Sequence, residues 1–202
     1  MIDEITVNTN SLASSELASS SESLMLGYAG GDAKAFNELY HRHKSALFRF
    51  IKRQGIAESK TDELFQEIWM KIINARHSYK ASAKFQTWFY RIARNHVIDD
   101  YRKQGNVINI EFDDESLQEN MLSNEKLSEQ RIEDQLDLES KKSRLLTSVS
   151  GLPFMQREAF LLKHEAGLNN EDIAKIKQSS AEAVKSRIRY AMKQLKNQLG
   201  GS

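Results

Sequence analysis

The chain has 202 residues, 40% of them hydrophobic, a net charge of +1, one proline, nine glycines and no cysteine. That length suits two helical domains of modest size, and the missing cysteines exclude disulfides, thiolate zinc sites and thiol redox switches, which fits a reducing cytosol and a cytoplasmic protein. No basic start precedes an apolar core and no apolar run approaches membrane-spanning length, so neither a signal peptide nor membrane contact of its own is expected.

Residues 1–23, rich in Ser, Asn, Thr and acid, have too few apolar side chains to offset the entropy of ordering and are expected to be a disordered tail. Residues 24–103 read as a first helical domain. A short helix from Ser23 to Tyr28 is broken at Gly30-Gly31, and Asp32 caps a longer one whose apolar face is Phe36, Leu39, Tyr40, His43, Leu47 and Ile51. His41 and His43, two apart, lie on different sides of that helix and cannot chelate one metal. After Gly55 the run TDELFQEIWMKIINA turns Leu64, Phe65, Ile68, Trp69, Ile72 and Ile73 inward, while Asp62, Glu63, Gln66, Glu67 and Asn74 face away.

A short loop, Tyr79 to Lys84, then leads into Lys84–Lys103, KFQTWFYRIARNHVIDDYRK, which sets five aromatic residues among five cationic ones. Phe85, Phe89, Ile92 and His96 share one side of this helix, and Tyr90, Val97 and Tyr101 form a second apolar edge. The polar strip that remains holds Thr87, Arg91, Arg94 and Arg102, bordered by Trp88, Asn95 and Asp99. Cations that follow a phosphate backbone, beside aromatics on which unpaired bases stack, suit a single-strand binding surface; the same stripe also reads as ordinary core. A metal-dependent phosphodiesterase built on His96, Asp99 and Asp100 is the enzymatic alternative. His96 and Asp100 could share a metal at i, i+4, but the helix turns Asp99 elsewhere, so no enzyme and no cofactor is expected.

Charge is segregated along the chain: residues 71–103 and 175–196 are basic and residues 111–139 acidic. Two basic modules joined by an acidic strand imply two contacts with a polyanion and a connector kept off it. Residues 104–128 are the expected linker, and 129–198 a second helical domain. Ile132, Leu136, Leu145, Leu146 and Val149 are expected inward on its first helix, which ends at Gly151-Leu152-Pro153. Gln156–Glu165 forms the next, with Ala159, Phe160 and Leu162 as core, and Gly167 stops it. Asn170 caps the short helix EDIAKIK, and Ser179-Ser180 open the last, with Ser179 and Glu182 at capping-box spacing.

A short helix, a tight turn and a longer basic helix make a helix-turn-helix pattern. Val184, Ile188, Ala191, Met192 and Leu195 are expected inward on the last helix. Ala181, Glu182, Ser186, Arg189 and Lys193 face away, with Lys185 at the edge and Arg187 and Tyr190 on the flank. Such a helix fits a major groove, its N-terminal residues reaching base edges while nearby cations grip phosphates. Read alone, this module would make the chain a stand-alone helix-turn-helix regulator, although no dimer seam is evident.

Several stretches in this order resemble an extracytoplasmic-function sigma factor of bacterial RNA polymerase, the compact class that keeps the second and fourth sigma regions. The resemblance covers about residues 24–103 and 145–198. It rests on Glu63, Leu64, Gln66, Glu67, Ile68 and Trp69; on FQTWFYRIARN with Asp99 and Arg102; and on LPFMQREAFLLKHEAGL, EDIAKI and AVKSRI. Gln178-Ser179 stands where many relatives carry Gly-Ile, and Glu182 where Gly is common, which bears on turn geometry and sequence preference.

The resemblance implies an all-α fold of two small helical domains joined by a flexible acidic linker. It implies that Asp62, Glu63, Gln66 and Glu67 dock on the clamp helices of the polymerase largest subunit, with the flap region as a further contact on the core. Tyr79, Lys80 and Lys84 would belong to the loop that captures a flipped base of the minus-ten element, and Trp88, Arg91, Asn95, Asp99 and Arg102 would hold the separated strand. Flipping costs a few kcal/mol and stacking returns ~1–3 kcal/mol per base, so one or two captured bases roughly offset the opening penalty. Ser180, Glu182, Lys185, Ser186, Arg189 and Tyr190 would read the minus-thirty-five element, with Arg187 as a phosphate or structural contact. With its flanks the linker is a chain of ~40 residues and an r.m.s. span of about 35 Å, enough to join two separated contacts. An anti-sigma factor is a further implied partner.

Overall fold

A computed structural model describes residues 20–103 and 137–199. The expectations for the tail, for the linker, and for Ile132 and Leu136 fall outside the described residues. Among these residues the chain forms eight α-helices and no strand. No described helix is long and apolar enough to cross a membrane.

The first domain starts with α1 (Ser21–Ala29), capped by the Ser20 hydroxyl, which accepts from the Ser23 N–H. Asp32 caps α2 (Ala33–Lys52) by accepting from the Lys34 N–H at 2.8 Å and the Ala35 N–H at 3.3 Å. α3 (Glu58–Asn74) runs into a 3-10 turn (Arg76–Ser78), and α4 (Phe85–Lys103) closes the bundle by packing on α1 and α3. The core is a chain of rings. Trp69 touches Phe36, Tyr40 and Phe89, with ring centroids 5.9, 4.9 and 5.4 Å away, and Phe89 leads on to Phe85 and Tyr90. Edge-to-face pairs of this kind add to the large apolar area each ring removes from water.

The second domain is α5 (Asp137–Ser150), α6 (Phe154–His164), α7 (Asn170–Lys177) and α8 (Ala181–Leu199). α6 starts at Phe154, directly after Pro153, because proline needs no hydrogen-bond acceptor at a helix start. For α7 the cap sits one residue before the expected one, and for α8 it is the second serine of the Ser179-Ser180 pair. Asn169, not Asn170, accepts from the Asp172 N–H at 2.8 Å, and of the two serines that open α8 it is Ser180 that accepts, from the Ala183 N–H at 3.0 Å, in place of the Ser179–Glu182 capping box. Adjacent Asn-Asn and Ser-Ser pairs offer the same chemistry at both positions, and only the i to i+3 reach of the side chain selects one. Gln178 takes a left-handed conformation, φ 55°, to end α7, a position glycine usually fills.

Two residues expected inside are not. Leu145 is 40% and Met192 49% exposed, and with Phe160, Leu195 and Leu199 they line an open apolar groove rimmed by Lys193 and Lys196. The helices of this small domain are too few to cover every apolar position of α5 and α8. The two domains also touch: α7 lies along α4.

Candidate nucleic-acid interface

α3 turns Asp62, Glu63, Gln66 and Glu67 to solvent, as the periodicity requires. Met70, 55% exposed, lies on the same side one turn on; a lone thioether among carboxylates was not singled out in the sequence. Glu67 lies 2.6 Å from His96 Nε2, and this hydrogen bond holds its carboxyl below the ordinary range. His96 is thereby engaged by α3. No group of three or more side chains that could ligate a metal is found among the described residues, His96, Asp99 and Asp100 included.

The loop into α4 is closed by its own side chain. Tyr79 is buried, donates its hydroxyl to the Ala83 carbonyl at 2.8 Å and packs edge-on to Trp88 at 5.4 Å. Lys80 is exposed, while Lys84, also exposed, reaches Asp172 of α7 at 2.7 Å. Trp88 is only 6% exposed, between Tyr79 and Phe85. Tyr79 and Trp88 are thus wall residues and not the open stacking platforms expected of them. Both are held by the ring cluster, Tyr79 also lying 6.1 Å from Phe85.

The outer strip of α4 survives in part. Arg91, Asn95, Asp99 and Arg102 are exposed at i, i+4, i+8 and i+11, one line along the helix. Arg94, placed on that strip by the helical wheel, turns instead toward the second domain and Glu158 of α6. It is 7% exposed, and its Nε donates to Glu158 at 2.7 Å. Glu158 is fully enclosed and also takes the ammonium of Lys177. Burial pushes the Glu158 carboxyl up, but Lys177 and Arg94 outweigh it and hold the group ionised below its usual range.

On α8, Lys185, Arg189 and Tyr190 are exposed, Ser186 is half-buried, and Glu182 lies 3.6 Å from Lys185. Arg189 sits over the Tyr190 ring at 5.3 Å, an exposed cation and ring side by side. The Ser180 hydroxyl is engaged as a cap. Arg187 is not available to phosphate: it continues the buried stripe of Val184, Ala191 and Leu195, and donates to the Ser179 hydroxyl at 3.5 Å. Burial and the neighbouring Arg94 push its pKa down.

Sequence reasoning missed Glu158, Lys177 and Arg157. Arg157 reaches the Ser150 carbonyl at 2.5 Å and the Tyr101 hydroxyl at 3.0 Å, while Tyr101 donates to the Gln54 carbonyl. The available signal was charge at inward spacing: Glu158 beside Ala159, Leu161 and Leu162, and Lys177 after Ile173 and Ile176.

Comparison with known proteins agrees with this geometry. Residues 39–107 match the model for Sigma-70 region 2, and residues 142–195 that for Sigma-70, region 4. The chain is 26% identical to the RNA polymerase sigma factor NccH of Alcaligenes xylosoxydans xylosoxydans, over 86% of this chain and 91% of NccH. It is 29% identical to the ECF RNA polymerase sigma-E factor of Escherichia coli K12, over 84% of this chain and 88% of that one. Its fold is similar to that of CnrH, solved with the cytosolic domain of CnrY, at a TM-score of 0.65 and 21% identity, covering 90% and 98% of the two chains. A second likeness is to RpoE of Bartonella quintana, solved with the anti-sigma factor NepR, at 0.63 and 23%, covering 83% of this chain and 98% of RpoE. Two sigma regions in the family's order, each with its exposed polar helix face, place the chain in the sigma-70 family of RNA polymerase sigma factors, among its extracytoplasmic-function members.

Proposed function

We propose that this sigma factor binds the RNA polymerase core, directs it to a specific set of promoters and assists their melting to start transcription, acting in the cytoplasm and carrying out no catalysis itself. One observation carries the assignment of roles: the two polar faces left open, on α3 with α4 and on α8, belong to the two matched sigma regions. In this reading Asp62, Glu63, Gln66 and Glu67, with Met70 among them, meet the clamp helices. Arg91, Asn95, Asp99 and Arg102 run along the separated strand. Lys80 and Lys84 flank the base-capturing loop, for which Tyr79 and Trp88 form the wall. Lys185, Ser186, Arg189 and Tyr190, with Ser180 and Glu182 at the start of α8, face the minus-thirty-five element.

The apolar groove of Leu145, Phe160 and Met192 is the proposed seat for the flap region. An anti-sigma factor is proposed as a partner, because one structural neighbour, RpoE, was solved with the anti-sigma factor NepR. In vitro transcription with purified core on a library of promoters tests the whole reading. Start sites that depend on this protein, with upstream protection lost in Lys185→Ala/Arg189→Ala, are expected. Absence of any start that this protein directs overturns it.

A further inference from the structure

We propose that His96 is a positioning residue for docking on the polymerase core: from inside the bundle it holds the Glu67 carboxylate in the orientation that a cationic side chain of the core meets. The step rests on the proposed function, which assigns the outer face of α3 to the core. Glu67 lies on that face with its side chain 47% exposed, whereas the His96 side chain, on α4, is 9% exposed, and the two are 2.6 Å apart.

The bond has a single direction. It keeps the Glu67 carboxyl ionised below its ordinary range, and an ionised carboxylate only accepts, so His96 Nε2 carries the hydrogen and donates it. Oε2 of Glu67 takes that hydrogen. Oε1 and the remaining lone pairs are left for a second donor, and a carboxylate held in this way suits an arginine or lysine of the partner. Exposed Asp62 and Glu63 give the same face the same sign.

Neither packing nor hydration requires this pair. His96 continues the line of Phe85, Phe89 and Ile92 along α4, where an aliphatic side chain would fill the space with no polar atom to satisfy. A half-exposed carboxylate is content in water, and exposed ion pairs add little to stability. What the bond supplies is a fixed rotamer. Glu63 is paired within α3, to Lys60 at 2.8 Å, so its anchor is another long side chain of the same helix. Glu67 is instead referred to a buried ring on a neighbouring helix. Ordering one flexible side chain before the partner arrives is worth about 3- to 10-fold in affinity. The anchor also follows Asn95 directly and precedes Asp99 by one turn, so it keeps the docking face of α3 in register with the exposed strip of α4.

With no native cysteine, a dye on Ser45→Cys in α2 labels the full chain at one point, and its anisotropy reads affinity for purified core polymerase. His96→Leu should weaken core binding by about 3- to 10-fold while circular dichroism keeps the helical signal. His96→Gln, which places an amide N–H near the position of Nε2, should restore it. His96→Asn, too short to reach, should behave as His96→Leu does, and carries the comparison if the leucine variant does not fold. In a Glu67→Ala background His96→Leu should change the affinity by less than about twofold, because the group it positions is gone. At saturating protein, permanganate reactivity of an opened promoter should return to the wild-type level in His96→Leu, since docking alone is impaired. Core binding by His96→Leu and His96→Asn equal to wild type, a loss of the same size with and without Glu67, no rescue by His96→Gln, or an opening defect that persists at saturation overturns the positioning role and leaves the sigma-factor reading standing. A wild-type chain that does not bind core overturns both.

Discussion

The first domain builds its core from rings, the second from aliphatic side chains wrapped around charges. Trp69, Phe85, Phe89 and Tyr90 fill the former. Arg157, Glu158, Asp172, Lys177 and Arg187 lie buried in the latter, and part of their neutralisation comes from the other domain. Area burial needs no partner, whereas buried charge does. The contrast shows which half of the molecule depends on its neighbour.

The largest expected effect breaks the charged core. Glu158→Gln leaves Lys177 and Arg94 without a counter-ion, and a loss of about 3–5 kcal/mol is expected from urea unfolding of the full chain. A loss under about 1 kcal/mol would mean the cluster is hydrated and not a core.

The matching test in the ring-filled half uses its buried histidine. His43 packs on Phe85 and Phe89 at 5.0 and 5.4 Å, and its Nε2 lies 2.9 Å from the Ser21 hydroxyl. Burial, helped by Arg42 and opposed by Glu22 on α1, lowers its pKa from 6.5 to about 4. The unfolded chain takes up a proton below 6.5 that the folded chain refuses until about 4. Stability is therefore complete above 6.5 and falls as pH drops through that window, by on the order of 3 kcal/mol. Melting followed against pH should show this slope in the wild type and lose it in His43→Gln; an unchanged slope would place the titration elsewhere.

Smaller effects sharpen the comparison. Asn169→Ala removes the cap of α7 and should cost about 1 kcal/mol, read in the second domain's protection from amide exchange. Tyr90→Phe should be neutral or stabilise by up to ~1 kcal/mol, because the buried hydroxyl makes no hydrogen bond among the described residues. A clear destabilisation would reveal a partner for it.

Much of the fold could be read from periodicity. The inward faces of α2 and α3, the break at Gly30-Gly31, the Asp32 cap and the helix-turn-helix order all follow from local rules that the tertiary structure obeys. Arg94 did not follow them, for a physical reason. A helical wheel ranks residues by side, but it does not say how many sides are covered. α4 is covered by α1 and α3 and again by α7, so a cation on the second covered side looked solvent-facing. Leu145 and Met192 fail in the opposite sense, being apolar residues for which the domain has no lid. At the candidate site, Arg91, Asn95, Asp99 and Arg102 on α4 and Lys185, Arg189 and Tyr190 on α8 were legible because each line has only water beyond it.

The hydroxyl of Tyr79, tied across four residues to Ala83, bears on how the segment before α4 would receive a ligand. A loop so fastened has already surrendered its conformational freedom during folding. A nucleotide arriving there would meet a finished cradle, and little of its binding energy would be diverted into arranging the walls.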